Sequence, residues 1–435
     1  MGGRLAGRGC ACRDGNPAGR RQHVPSRRRL REGPRVFSAP AGGGAAGGQM
    51  RLMHLTSSGG WGGREMYPRS LAALQRERGH ETIVVAKKYT PLSRSLAGSD
   101  IPHRILRIGP YLDPPAAWAL SRVIREFNPE VIQIHLSRDL ALVSMALALA
   151  RRKPAVILHK HIASAGNKRD LLHRYLYGRV DRVVAVSEFV KASLLNSCPL
   201  APDEVEVIFN GVDTRQFASA GEIEPEVRKR IRSELGADGN SVLVGVVGRL
   251  DLRKGQQWLI RAAASPAGGR QELRYALIGA SEEDYRAELE TLTAELGLEA
   301  AIKFTGHRPD SRELYASLDI LVVPSFAEAF GLVAVEGMLS ELPVVASNSG
   351  ALPEFVADGV NGLLVELNDE RALAAAISRL ADDPLLRAEL GARAREWARG
   401  SLAMNLVLDR LDDLYRRCLE QRKILAGEHK VRPYE

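Results

Sequence analysis

From residue 50 onward, short apolar runs recur along the chain, each followed by a longer segment that is apolar on one side only. Leu52–Thr56, Thr82–Ala86, Ile105–Ile108, Val131–Ile134, Val156–Leu158, Val183–Val186 and Val205–Phe209 form a first series. Short runs without polar alternation are the mark of strands buried on both faces of a parallel sheet. The intervening segments predict helices. In the first of them Leu71 and Leu74 share a face and Gly79 supplies the stop. Asn210-Gly211-Val212-Asp213 breaks the rhythm with a turn, and residues 214–240 are polar enough to predict a helical linker. A second series follows: Val242–Val247, Tyr275–Ile278, Ile302–Phe304, Ile320–Val323, Val344–Ala346 and Leu363–Val365. The final stretch reads as wholly helical. The pattern predicts an α/β protein of two Rossmann-like, doubly wound parallel-sheet domains with a cleft between them. The expected divisions are 50–208, 215–400, and 401–435 as helices returning to the first domain.

Residues 1–49 do not join this pattern. They are rich in Gly, Ala, Arg and Pro, have no hydrophobic period, and cannot bury enough apolar surface to offset their ordering entropy. They read either as a basic disordered tail or as a mis-annotated start ahead of Met50. Charge separates the rest. Residues 50–200 carry 23 basic and 11 acidic side chains, whereas 201–435 are net acidic by 11, within an overall charge of +9. A basic total with an acidic second half, and with no zinc-finger spacing or aromatic RNA-binding strand, argues against a nucleic-acid partner. The basic first half suits an anionic membrane surface or an anionic lipid-linked acceptor. Four scattered cysteines offer neither a disulfide framework nor a metal spacing, which fits a reducing cytoplasm. No run is long enough to span a bilayer, so the expected location is cytoplasmic, with peripheral attachment to the inner face of the plasma membrane as a further expectation.

Two segments carry the chemistry. Pro324 to Gly337 follows one predicted strand and opens a helix, with Glu328 in the loop and Glu336 two turns into the helix. Backbone N–H groups around Phe330, Gly331 and Leu332 at such a helix start suit a phosphate. The two carboxylates cannot serve a phosphate, but they can accept from sugar hydroxyls. The spacing alone fits a capped helix with a solvated glutamate equally well. The second segment, Val247 to Gly255, also follows a strand. It places Arg249 and Lys254 where they could hold a diphosphate and stabilise it as a leaving group; surface ion pairing would explain them too.

Read together, the two segments resemble the retaining, GT-B-fold glycosyltransferases of family four, the group 1 glycosyl transferases, of the lipopolysaccharide or cell-surface polysaccharide type. Glu328 and Glu336 match the paired-glutamate signature, and Gly248, Arg249, Lys254 and Gly255 match the Gly-Arg and Lys-Gly pattern. Gly62-Gly63 with Glu65, Arg78 to Glu81, Val186-Ser187-Glu188, Asn210 to Asp213, Gly350 with Glu354, and Asp358 to Gly362 follow in the same order over residues 50–400.

The resemblance implies transfer of a sugar from a nucleotide-sugar, a UDP- or GDP-sugar, to a glycan or lipid-linked glycan with retention of configuration. It implies Arg249 and Lys254 on the diphosphate, Glu336 on the ribose, Glu328 on the transferred sugar, and Gly62 and Gly63 close to the phosphates. It also implies a histidine near the reacting sugar. His159 and His161 both stand at the end of Val156–Leu158 and alternate onto the same side, so the residues do not choose between them; the loop that follows favours His161. No Asp-x-Asp pair offers a divalent cation a bridging site, so no metal and no cofactor beyond the nucleotide-sugar are expected. An epimerase or a phosphorylase on the same fold, or a non-catalytic binding protein on a decayed one, compete with this reading. No pyridoxal lysine is identifiable, no dinucleotide fingerprint is present, and all four charged donor-side residues are retained.

Overall fold

The structure is a computed structural model that describes residues 48–428 apart from 61, 62, 111 and 282. Among the described residues, thirteen strands form two sheets, both wholly parallel. The first contains β1 (Arg51–Thr56), β2 (Glu81–Lys87), β3 (His103–Leu106), β4 (Val131–Ile134), β5 (Ala155–Lys160), β6 (Arg182–Ala185) and β7 (Val205–Val207), in the order β3-β2-β1-β4-β5-β6-β7. The second contains β8 (Val242–Val247), β9 (Leu273–Ile278), β10 (Ile302–Gly306), β11 (Ile320–Val323), β12 (Val344–Ser347) and β13 (Leu363–Val365), in the order β10-β9-β8-β11-β12-β13. Each order reverses beside its first strand, between β1 and β4 and between β8 and β11. Loops diverge at such a point and leave a crevice at the carboxyl ends of the strands.

The strands fall where the apolar runs predict, with one displacement. The third run is expected at Ile105–Ile108, but β3 spans His103–Leu106 and pairs with β2 from Val84↔His103 to Lys87↔Leu106. Ile108 is buried in the core without being paired. Apolar content marks burial there, while the ladder is set by the edge register. The polar segment 214–240 contains one α-helix, Pro225–Glu234, after two short 3-10 turns, and Arg232 fastens it to the second sheet by donating to Asp319 at 2.7 Å and to the Ser317 carbonyl at 3.0 Å.

The chain crosses between the two halves twice, and the crossings pair with each other. The Val212 N–H donates to the Leu402 carbonyl at 3.0 Å, and the Met404 N–H donates to the Val212 carbonyl at 3.1 Å. The helix Met404–Glu428 then lies back on the first sheet. Its Val407, Leu408, Leu411, Leu414, Tyr415 and Cys418 recur at helical spacing and pack with Leu52, Val131, Ile157 and Val184. Tyr415 is therefore buried beneath the first sheet's centre, far in sequence from its hydrogen-bond partners Gln75 and Gln133.

Candidate active site

The donor half is built at the switch point of the second sheet. The loop after β8 carries Arg249 and Lys254, and the loop after β11 carries Glu328. The loops can meet because Gly255, at φ +73°, lies against the Pro324 carbonyl; a Cβ there would stand 2.0 Å from that oxygen. The Phe326 N–H donates to the Arg253 carbonyl at 2.9 Å and closes the contact. Lys254 Nζ then reaches Glu328 Oε1 at 2.6 Å, with both side chains partly buried. Arg249 remains largely exposed, its nearest anion Asp251 at 3.4 Å, and Arg253 shares that same carboxylate. Asp251 is held down to about 2, first by its hydrogen bond from Arg253, and so stays ionised.

The helix Leu332–Leu339 begins at Gly331, whose φ of +81° turns the chain into it, and no side chain caps it. Its first N–H groups stay directed at the crevice beside Lys254 and Glu328, a setting that attracts an anion. Phe330 divides its roles between core and loop. Its ring is buried against Phe355 at 4.9 Å between centroids, so only its backbone faces the loop. The Leu332 side chain likewise packs on the core.

Glu336 accepts from the Tyr315 hydroxyl at 2.6 Å. Burial pushes its carboxyl up to about 7, against the lowering effect of that bond. Tyr315 was not singled out from the sequence; the short helix Ser311–Ser317 supplies it to another element's carboxylate.

The first half faces this crevice with its own switch point. Gly62 lies outside the described residues, and Gly63 opens the helix Gly63–Glu77. The preceding loop is fixed at its base. Ser57 donates to Asp139 through its N–H at 2.9 Å and its hydroxyl at 2.5 Å, and Ser58 Oγ donates to Glu65 at 2.9 Å. Burial lifts Asp139 to about 6.

At the ends of β4 and β5 stand His135, His159 and His161, all buried. His159 and His161 do face the same side, with rings 4.4 Å apart and 12° from parallel. One ring nitrogen from each of the three lies within 4.8 Å of the others, a spacing that could hold a metal ion. The expectation of no metal rested on missing carboxylate pairs, and this imidazole group is formed by strands too distant in sequence to be read as one. His135 stood in plain view at a strand end, the same signal that drew attention to His161.

The halves touch through a carboxylate and a helix end. Glu354 accepts from the N–H groups of Glu188 and Phe189 at 2.8 Å each, and Ser187 Oγ donates to the Ala329 carbonyl at 2.5 Å. The helix Glu188–Ser197 thus receives its anion from the other domain. Burial nonetheless raises Glu354 to about 7.

Comparison with known proteins places this geometry. Residues 227–397 match the family described as glycosyl transferases group 1, and residues 61–216 match glycosyltransferase family 4. A D-inositol 3-phosphate glycosyltransferase of Saccharomonospora viridis is 31% identical over 297 residues, 65% of this chain and 67% of that protein. One of Corynebacterium kroppenstedtii is 32% identical over 275 residues, 62% of this chain and 58% of that protein. The chain thus spans between about half and two thirds of the length of the curated relatives it matches. Among solved structures, Anabaena HepE in complex with UDP is 26% identical, with a TM-score of 0.73 over 85% of this chain and all of that one. A Rickettsia africae glycosyltransferase has a TM-score of 0.78 at 24% identity, over 85% of this chain and 99% of that one. The chain belongs to the group 1, family 4 glycosyltransferases and has their GT-B fold. The relatives are named for inositol phosphate, not for lipopolysaccharide.

The Glu336 geometry generates a stability test. A carboxyl whose folded value is raised from 4.5 to about 7 favours folding while protonated. That contribution is complete below the unfolded value and is lost as pH rises through about 7. Glu336→Gln keeps an acceptor for Tyr315 and removes the titration. Its stability relative to the parent, measured by urea unfolding, is expected to rise with pH across this window by about 1 kcal/mol per pH unit. A difference independent of pH would contradict the burial assigned to Glu336.

Proposed function

We propose that the protein transfers a sugar from a UDP-sugar to a hydroxyl of an anionic acceptor, with retention of configuration, and that the acceptor is a lipid-linked or cell-surface glycan. The observation that carries the donor side is the meeting of Lys254 and Glu328 at 2.6 Å, beside an uncapped helix start, at the switch point of the second sheet. Before the donor enters, ammonium and carboxylate neutralise each other. A nucleotide-sugar supplies better partners to both. Lys254 and Arg249 turn to the diphosphate, which leaves as an anion and needs positive charge as the glycosidic bond breaks. Glu328 accepts from hydroxyls of the sugar, and Glu336 accepts from the ribose. His161 stands across the crevice, beside the reacting carbon. The diphosphate is held by these side chains and the helix start, without a divalent cation. UDP is preferred over GDP because HepE, at 25–26% identity, was solved with UDP, with UDP and glucose, and with UDP-glucose.

On the acceptor side, the short helix Leu171–Tyr177 exposes Leu171, Leu172 and Tyr175 at 84%, 56% and 56%. Lys168, Arg169 and Arg174 surround them. Apolar side chains set among cations suit the surface of an anionic leaflet. Among the described residues no helix is long and apolar enough to cross a membrane. A second acceptor reading is favoured by the relatives' names: a small phosphorylated polyol, drawn in by the same positive charge.

Nucleotide release is the direct assay, run with UDP-, GDP- and ADP-sugars in the presence and absence of EDTA. Arg249→Ala and Lys254→Ala are each expected to lower the rate by roughly 10²–10³, the range for a lost electrostatic contact to a transition state. Near-parental turnover in both, or activity that EDTA abolishes and magnesium restores, would remove the assigned diphosphate site.

Vesicle co-sedimentation separates the two acceptors. The lipid-linked reading expects salt-sensitive binding to anionic but not zwitterionic vesicles, weakened at least several-fold by Leu171→Asp with Leu172→Asp. Absence of binding at low salt would leave the soluble phosphorylated polyol.

A further inference from the structure

Beneath the acceptor side of the crevice runs a chain of buried polar groups, of which the reaction scheme above uses only His161. His161 Nε2 lies 3.1 Å from His135 Nδ1, and His135 Nε2 lies 3.3 Å from His54 Nδ1. His54 Nε2 lies 2.7 Å from Gln75 Oε1. The Gln75 amide N–H donates to the Tyr415 oxygen at 3.3 Å, and the Tyr415 hydroxyl donates to Gln133 Oε1. Gln133 Nε2 ends the path at His159 Nδ1, at 2.6 Å. Five of these side chains, those of His54, Gln75, Gln133, His159 and Tyr415, are no more than 1% exposed, and His135 and His161 are 3% and 6% exposed. Water has little part in deciding their protons.

The ring geometry is that of a relay. His135 and His161 are 14° from parallel, with centroids 5.4 Å apart. Taking the 3.1 Å between nitrogens from that separation leaves about one imidazole breadth, so the rings meet edge to edge with the N–H along the line of centres. His54 and His135 also meet nitrogen to nitrogen, at 5.5 Å between centroids, with their planes tilted by 32°. Of the three histidines, His135 and His161 face each other through one proton and do not converge on an ion, while His159 is bonded to Gln133 and stacks on both.

A neutral imidazole has one donor and one acceptor nitrogen, so each ring's tautomer dictates the next. Burial drives His54 down to about 4 and His135 and His159 well below the ordinary value, which keeps these rings neutral. Gln75 Oε1 can only accept, so His54 carries its proton on Nε2 and accepts on Nδ1. His135 then donates from Nε2 and accepts on Nδ1, and His161 donates from Nε2. The other branch agrees. His159 accepts on Nδ1 from the Gln133 amide and, kept neutral by burial, carries its proton on Nε2. Reversing the sense would require both amides, the hydroxyl and all four imidazoles to change together.

We propose that Tyr415 and Gln75, acting through His54 and His135, are positioning residues that fix His161 as the Nε2–H tautomer and make its Nδ1 the acceptor nitrogen. The helix that returns to the first domain thus delivers a hydroxyl that sets the proton of a cleft histidine four hydrogen bonds away. The consequence for transfer rests on the reading of His161 as the residue beside the reacting sugar; the tautomer itself does not.

The test is a histidine ¹⁵N–¹H correlation spectrum of the full-length protein, with His161 assigned from the signal that His161→Gln removes. The expected result is a protonated Nε2 and an unprotonated Nδ1 at His161. Tyr415→Phe and Gln75→Met are expected to give mixed tautomers there. Both variants should lower kcat by about 10- to 100-fold with the donor KM unchanged. A protonated Nδ1 in the parent protein overturns the proposal even if neither variant folds. So does an unchanged His161 tautomer in both variants, or zinc found at one equivalent on these nitrogens. The spectrum reads the resting protein whether or not any sugar is transferred, so failure of the transferase reading and failure of this one are separate results.

Discussion

The close approach of Gly255 to the Pro324 carbonyl is the constraint from which the proposed donor site follows. In an all-parallel sheet every strand delivers its carboxyl end to one edge, but at a switch point the loops turn away from each other. Lys254 and Glu328 come from the two strands that flank that point, β8 and β11. They can pair only because the backbone of one loop lies directly on the other, where a side chain would collide with a carbonyl oxygen. The helix start at Gly331, the contact from the Ala351 N–H to the Glu328 carbonyl at 2.9 Å, and the link from Glu354 to the first domain are all placed relative to that junction.

The two halves solve the problem of charge in opposite ways. The donor side keeps its charges and leaves them partly open: Arg249 largely exposed, Lys254 and Glu328 matched against each other. Beneath the acceptor side, His54, His135 and His159 are buried and held neutral, so that hydrogen bonds rather than charges carry the specification there. An ion in the first setting is exchangeable for a ligand. A proton in the second is fixed by its neighbours, because an unsatisfied group so deep costs about 1–3 kcal/mol. Such a division suits a reaction in which an anion must leave one wall of a crevice while a hydroxyl is oriented at the other.

Much of this was legible along the chain. The apolar runs gave the two strand series, because strands covered on both faces need uninterrupted apolar residues and the helices between them do not. They misplaced only β3, an edge strand whose register outweighs its composition. Arg249, Lys254, Glu328 and Glu336 were visible because each stands a fixed few residues beyond a strand or a helix start. What could not be read is whatever register and domain packing assemble. Tyr315 meets Glu336 from a different helix, and the polar chain beneath His161 draws on β1, β4, β5, the helix Gly63–Glu77 and the last helix. Phe330 was singled out for its backbone N–H, and its ring, which the sequence left unassigned, serves the core.

The central claim is that the nucleotide diphosphate sits at the switch point of the second sheet, against the loops that Gly255 brings together. Hydrogen–deuterium exchange with and without UDP tests it most directly, because it reports backbone protection without depending on the acceptor or on turnover. Protection centred on residues 248–256 and 328–337 is the predicted result. Saturating UDP that leaves both segments unprotected, or that protects only the first sheet's loops, would contradict it.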